Sequence, residues 1–192
     1  MAYVALLDAS VLHPWVTCDL LLRLAERGLY RPAWSSEILD ELVDSLTERK
    51  PEHAERFQRR REHMEAAFAE AMTEHATRLL AAVPDEVDVS DRHVVAAALA
   101  ARADVIVTNN VRHFALERLA ESGIVVQTAD EFLIHQWWLD PQGVDEVLAA
   151  MANATSRPPL TTAQVLDSLG RTAPEFARLV RDQEPQVPED FG

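Results

Sequence analysis

At 192 residues with 48% apolar side chains, the chain has the material for one α/β domain with an appendage or for two very small domains, and its composition argues against global disorder. A single cysteine, Cys18, excludes an intramolecular disulfide framework and points to a reducing compartment, the cytoplasm. A net charge of −14 speaks against nonspecific nucleic-acid binding, which needs clustered cations. It remains compatible with a hard-cation site, itself built of carboxylates, or with a basic protein partner.

Residues 1–7 are apolar, lack a basic flank and run into Asp8, which is not the pattern of a signal peptide. Within that stretch, residues 3–7 read as a buried strand delivering an acid at its C-terminal end. Residues 17–28 have helical periodicity through Leu20, Leu21, Leu24 and Ala25, with Gly28 as the stop. Ser35 or Ser36 then caps a helix whose apolar face holds Ile38, Leu39, Leu42, Val43 and Leu46. Residues 51–80 are charged and read as one or two solvated helices. Ser90 is expected to cap a helix over 91–103, followed by a strand over 104–108. The apolar run 94–101 inside that helix is far too short to span a bilayer, so no membrane role is expected. A short helix over 114–121 ends at Gly123, a strand follows over 124–127, and Thr128 or Asp130 starts another helix. Strands alternating with helices predict a mainly parallel sheet covered on both faces.

Beyond residue 138 no further strand is evident. Short helices are expected over 144–151, 161–169 and 174–180, with Thr161 or Thr162 capping the second and the Pro158-Pro159 pair before it. Residues 184–192, with two prolines and three acids, read as a frayed tail. From residue 139 onward nine acids face four arginines, a net −5, so this segment is a poor nucleic-acid clamp. The division expected is a domain over 1–138 and a helical extension over 139–192.

The acids carry the chemistry. Asp8 ends the first strand, and Asp91 opens the helix before the next strong strand. Glu41 follows Glu37 by four residues on one helix face, between Ile38 and Leu42, so it borders the apolar stripe and can reach inward. Carboxylates converging on a pocket repel one another unless a divalent cation compensates them, and oxygen donors suit Mg²⁺ or Mn²⁺. Such ions serve phosphodiester hydrolysis by lowering the pKa of water and neutralising charge on phosphate.

Four segments, Leu6-Leu7-Asp8-Ala9-Ser10-Val11-Leu12, Ser36-Glu37-Ile38-Leu39-Asp40-Glu41-Leu42, Asp88-Val89-Ser90-Asp91-Arg92-His93-Val94 and Ala103-Asp104-Val105-Ile106-Val107-Thr108-Asn109-Asn110, resemble in order and spacing the PIN-domain succession. The resemblance covers roughly residues 1–133 and is strongest to VapC-like toxins. It implies a three-layer α/β/α sandwich and a metal-dependent endoribonuclease in which Asp8, Glu41 and Asp91 hold one or two Mg²⁺ or Mn²⁺ ions. Ser10 and Thr108 would support them with hydroxyls. The products would be 5′-phosphate and 3′-hydroxyl ends. The resemblance also implies a cognate antitoxin that covers the pocket and, by analogy, a homodimer. Family members often carry a further aspartate just after the Val-Thr strand, where this chain has Asn110 and His113. Neither brings a fixed negative charge, and Asp88 is the candidate fourth acid.

Several residues carry a plainer reading as well. Asp91 would also suit a helix dipole, and Glu37, Asp40 and Asp44 suit a solvated face. The arginines around Arg60 suit either phosphate contact or ion pairs with Glu52, Glu55 and Glu62; Arg60, Arg92 and Arg112 are the RNA-contact candidates. Trp137 and Trp138 suit packing better than base stacking, and His53, His63 and His75 lack metal-ligand spacing. Lysine occurs once, at Lys50, leaving 17 arginines among the basic residues. A receiver domain or haloacid-dehalogenase-like phosphatase would need a later lysine, and no Gly-Lys-Ser/Thr of a P-loop is present. The competing function is a catalytically weak PIN domain that binds RNA or a protein without cutting.

Overall fold

The computed structural model describes residues 3–154 and 160–183. Its centre is a four-stranded, all-parallel sheet in the order β2-β1-β3-β4: β1 (Val4–Leu7), β2 (Arg31–Ala33), β3 (Val105–Val107) and β4 (Val125–Gln127). β1 and β3 are the inner pair, in register from Ala5 opposite Val105 to Leu7 opposite Val107, and both are buried throughout. That burial explains their unbroken apolar runs, since a parallel strand is covered on both faces.

β2 was not legible in the sequence. It has three residues with Pro32 at the centre, and proline is tolerated because β2 is an edge strand. That edge is itself covered: Trp34 N–H donates to the Ala71 carbonyl (3.0 Å), and Thr73 N–H to the Trp34 carbonyl (2.8 Å).

Between β1 and β2 lie α1 (Ala9–Leu12) and α2 (Trp15–Glu26), and α2 closes at Gly28, whose φ of +84° suits glycine. α3 (Ser36–Arg49) is capped by Ser35, whose side chain accepts from Ile38 N–H. The charged stretch that follows contains one regular helix, α4 (Ala54–Ala67), flanked by 3₁₀ turns over Pro51–His53, Ala69–Ala71 and Ala76–Ala82. α5 (Arg92–Ala101) precedes β3, and α6 (Leu116–Glu121) links β3 to β4. α7 (Ala129–Leu139) begins with a reciprocal Thr128–Glu131 capping box.

Right-handed crossovers fix the layers. The chain moves from β1 to β2 in one direction and from β2 through β3 to β4 in the other, so α2 covers one face and α5 and α6 the opposite one. α3 packs with α5, and α7 returns to pack with α2. The result is a PIN-like α/β/α sandwich.

Three further helices follow: α8 (Pro141–Ala154), α9 (Thr162–Leu169), capped by Thr161, and α10 (Pro174–Gln183). They continue the α2–α7 layer. Leu148, Leu166, Leu169, Phe176 and Val180 are fully buried. Asp130 of α7 accepts the backbone N–H groups of Glu175 (3.1 Å) and Phe176 (2.8 Å), which caps α10 from a neighbouring helix. The Thr17 and Thr172 hydroxyls meet at 2.6 Å. The Pro158-Pro159 pair and the tail over 184–192 lie outside the described residues. Among the described residues no helix is long and apolar enough to cross a membrane.

Candidate active site

Strand order decides where the acids meet. The chain leaves β1 toward β2 and later enters β3 on β1's other side, so the β1–β3 boundary is a switch point, where crevices form at the strands' C-terminal ends. Asp8 ends β1 and Thr108 ends β3. Because α5 runs back toward the start of β3, its N-terminus and Asp91 lie at this same edge.

Asp8 is 2% exposed. Its Oδ2 accepts the Ser10 hydroxyl at 2.6 Å and the Thr108 hydroxyl at 2.7 Å. Those hydroxyls are oriented from behind: Asn109 N–H donates to Ser10 Oγ and Asn110 N–H to Thr108 Oγ1, each at 3.0 Å. With their acceptor sides occupied, both hydroxyl hydrogens turn to Asp8, since each oxygen has only one. The Asn109 side chain adds a bond to the Ser10 carbonyl at 3.1 Å. Asn109 was missed in the sequence, although its place directly after Thr108 was the available signal.

Burial, foremost, pushes the Asp8 pKa up. The two hydroxyls pull it down, and the carboxylates of Glu41 and Asp91 push it up again. The three acids therefore share one electrostatic neighbourhood, although Glu41 comes from α3 and Asp91 precedes α5.

Asp91 is 7% exposed. Its Oδ2 takes the Ser90 hydroxyl at 2.6 Å and His113 Nδ1 at 3.0 Å. Arg112 Nε lies 3.4 Å from His113 Nε2, a contact that places the ring hydrogen on Nδ1, facing Asp91. Ser90 is not the cap expected of it. Asp88 caps the 3₁₀ turn Val89–Asp91 by accepting Ser90 N–H, and α5 starts one residue later than expected, at Arg92. Ser90 Oγ instead sits between two acids, 2.7 Å from Asp88 Oδ1 and 2.6 Å from Asp91 Oδ2. One hydroxyl hydrogen serves one of them only, so the two carboxylates compete for a single donor. The Ser90 bonds hold Asp88, an exposed residue, below the usual carboxylate range.

Glu41 stands at the rim, exposed, with His93 Nε2 3.3 Å from its carboxylate. That contact raises the His93 pKa, burial of the ring opposing it. The sequence reading missed His93, because a pair 52 residues apart leaves no local signal.

The remaining arginine candidates divide. Arg92 spends its guanidinium on the carbonyls of Pro84 and Val83, both at 3.0 Å, and Leu80 at 3.2 Å, tying the 3₁₀ turn before Asp91 to α5. Arg60 donates to the Leu12 carbonyl at the end of α1. Arg112 is exposed beside His113. Arg59 pairs with Glu55, the ion-pair reading of that stretch, but of the other expected partners Glu52 lies beside His53 and Glu62 is in no ion pair among the described residues; Arg61 pairs instead with Glu65 and Asp40. Trp137 is buried, and Trp138 is exposed.

Among the described residues, no three His, Cys, Asp or Glu side chains stand close enough, as placed, to enclose an ion. The donor set nonetheless fits a hard divalent cation. Asp8 is a buried carboxylate that forms no ion pair among the described residues, its Oδ1 receives no hydrogen-bond donor there, and two more carboxylates act on it. Burying such a charge without a partner is costly, and a cation held by oxygen donors relieves it.

Residues 4–112, more than half of the chain, match the PIN domain family profile. The chain belongs to the PIN-domain family. The parallel sheet, the acid ending β1 and the acid before α5 are thus the frame of a PIN domain. Residues 129–182 match the VapC50 C-terminal domain, so the PIN chain resembles VapC-type proteins in its C-terminal helices too. A protein of Mycobacterium tuberculosis (strain ATCC 25618 / H37Rv) named "Putative ribonuclease VapC50" is 41% identical over 91 residues, 47% of this chain and 54% of that protein. The match thus spans about half of that relative's length. No solved structure matches the chain.

Proposed function

We propose that this PIN-domain protein is a Mg²⁺- or Mn²⁺-dependent endoribonuclease and the toxin of a toxin–antitoxin pair. The observation carrying the proposal is Asp8, buried at the switch point, fixed through Oδ2 by two oriented hydroxyls, and in no ion pair among the described residues while Glu41 and Asp91 act on it.

In this reading Asp8 and Asp91 are the principal metal ligands, and Glu41 completes the shell or orients the water. Ser10 and Thr108 lock the Asp8 carboxylate, while Ser90 and His113 lock that of Asp91. Asp88 adds negative charge through Ser90, and Asn110 contributes its backbone N–H to Thr108 rather than a charge. A metal held by these carboxylates would lower the pKa of water and neutralise charge building on the phosphate oxygens. Water attacks phosphorus in line with the departing 3′-oxygen, leaving 5′-phosphate and 3′-hydroxyl ends. Arg112 is the leading phosphate contact, because Arg60 and Arg92 are bound to internal carbonyls.

The relative's name supports RNA as the substrate and the VapC type supports an antitoxin partner. The acidic pocket would receive basic side chains of that antitoxin. Residues 1–138 would form the nuclease unit, and 139–192 would support antitoxin contact or a homodimer, in the cytoplasm.

A second reading is a PIN domain that binds RNA or a partner without cutting. It is favoured by the missing acid at Asn110 and His113, and by the histidines engaging Glu41 and Asp91. Calorimetric titration with Mn²⁺ separates the two. The nuclease reading expects saturable binding that Asp8→Asn weakens at least about tenfold; no binding at millimolar metal would leave only the second reading.

A further inference from the structure

One cluster beside the pocket has no part in the chemistry above. The N–H groups of Val11 and Leu12 donate to the Asp8 carbonyl, so the far end of α1 lies one helical turn, about 5–6 Å, from the Asp8 backbone. There Arg60, fixed by the Leu12 carbonyl, lies over the Trp15 ring at 5.0 Å from its centroid. Trp15 is 59% exposed. Arg60 takes one face of the indole, and the side chain as a whole stays largely open to solvent. His13 lies alongside, its pKa lowered first by burial and then by Arg49 and Arg60. Arg60 thus brings a positive charge to this face in a protein of net charge −14, and among the described residues it forms no ion pair. Other arginines in this region, Arg59 and Arg61, are both paired with acids.

A lone exposed tryptophan needs no explanation. This one is backed by a cation that is itself anchored at Leu12, at the end of the short helix that starts directly after Asp8. An aromatic face backed by a guanidinium group that forms no ion pair among the described residues is how proteins hold single-stranded nucleic acid, by stacking a base beside a positive charge.

We propose that Trp15, backed by Arg60, is a nucleobase-stacking subsite for a nucleotide near the scissile phosphate. This rests on the ribonuclease reading for what happens at Asp8. Inside a continuous duplex both faces of a base are covered by its neighbours, so a base seated on Trp15 must first leave that stack.

The test uses the full chain carrying Asp8→Asn, which retains volume but does not cut, and a labelled unstructured oligoribonucleotide in Mg²⁺. Adding Trp15→Ala is expected to weaken binding about tenfold, while Trp15→Phe retains most of it. An otherwise identical strand made abasic is expected to bind weakly and to be insensitive to Trp15→Ala. Equal binding with and without Trp15 would overturn the subsite and leave the nuclease reading standing, with the platform then fitting a protein side chain. An equal loss on the abasic strand would overturn stacking in favour of backbone contact. No RNA binding by the Asp8→Asn protein at all would overturn the ribonuclease reading, and the subsite with it.

Discussion

Thr108 donates its hydroxyl to Asp8 Oδ2 at 2.7 Å, a bond between residues a hundred positions apart that joins the ends of the two central strands. Thr108→Val keeps the shape, removes this donor and leaves Asn110 N–H without its acceptor. Loss of a buried bond to a carboxylate is expected to cost about 1–3 kcal/mol. Denaturant unfolding measures it, and a variant as stable as the parent would show that the bond does not hold the strand ends together.

The same bond bears on pH. Asp8 has a pKa raised above its ordinary 3.8, burial being the largest cause. A carboxyl that is easier to protonate when folded makes ionisation a cost to stability. That cost is absent below about pH 3.8, grows as pH rises through the folded-state pKa, and is fully present above it. In EDTA, Asp8→Asn should therefore melt above the parent near neutral pH, the difference closing toward about pH 4. Melting curves across that range check this; a constant difference would point to packing instead of charge.

His113 occupies a position where PIN relatives often have an acid, and it donates to Asp91 at 3.0 Å. His113→Asp would place two carboxylates in contact. The variant should melt lower than the parent in EDTA and gain more from Mn²⁺. A cation at about 100 times its dissociation constant adds about 2.7 kcal/mol. Equal Mn²⁺ stabilisation of both proteins would contradict a cation site beside Asp91.

Which parts of this were legible follows from how local each signal is. Asp8 could be read because an acid ends an apolar strand, and α3 because its stripe recurs at helical spacing. Thr128 and Thr161 were each one of two caps the sequence offered, and the fold selects them through capping boxes that span only four residues. β2 was hidden by its length and by Pro32, and it is an edge strand only because of the sheet order. The neighbourhood of Asp8, Glu41 and Asp91 depends on that order as well, so family spacing, rather than periodicity, brought the three together. Arg92 and Arg60 show the limit most clearly: as sequence they resemble phosphate contacts, and only the fold reveals that internal carbonyls take their donors.

Asp130 tests whether the last helices are integral. It caps α10 from α7 through two backbone bonds, so Asp130→Ala should cost about 1–2 kcal/mol, and Asp130→Asn less. Limited proteolysis near residue 174, alongside the melting temperature, reads the loss. Unchanged protection would mean that burial of Phe176 and Val180 alone holds α10.

The most direct test of the central claim is cleavage of a structured RNA pool by the purified protein with Mg²⁺, with Mn²⁺ and with EDTA, beside folded Asp8→Asn. The account predicts cleavage with either metal, none in EDTA, and a loss of at least about a hundredfold in the variant, leaving 5′-phosphate ends. Cleavage that persists in EDTA, or undiminished in Asp8→Asn, would contradict it.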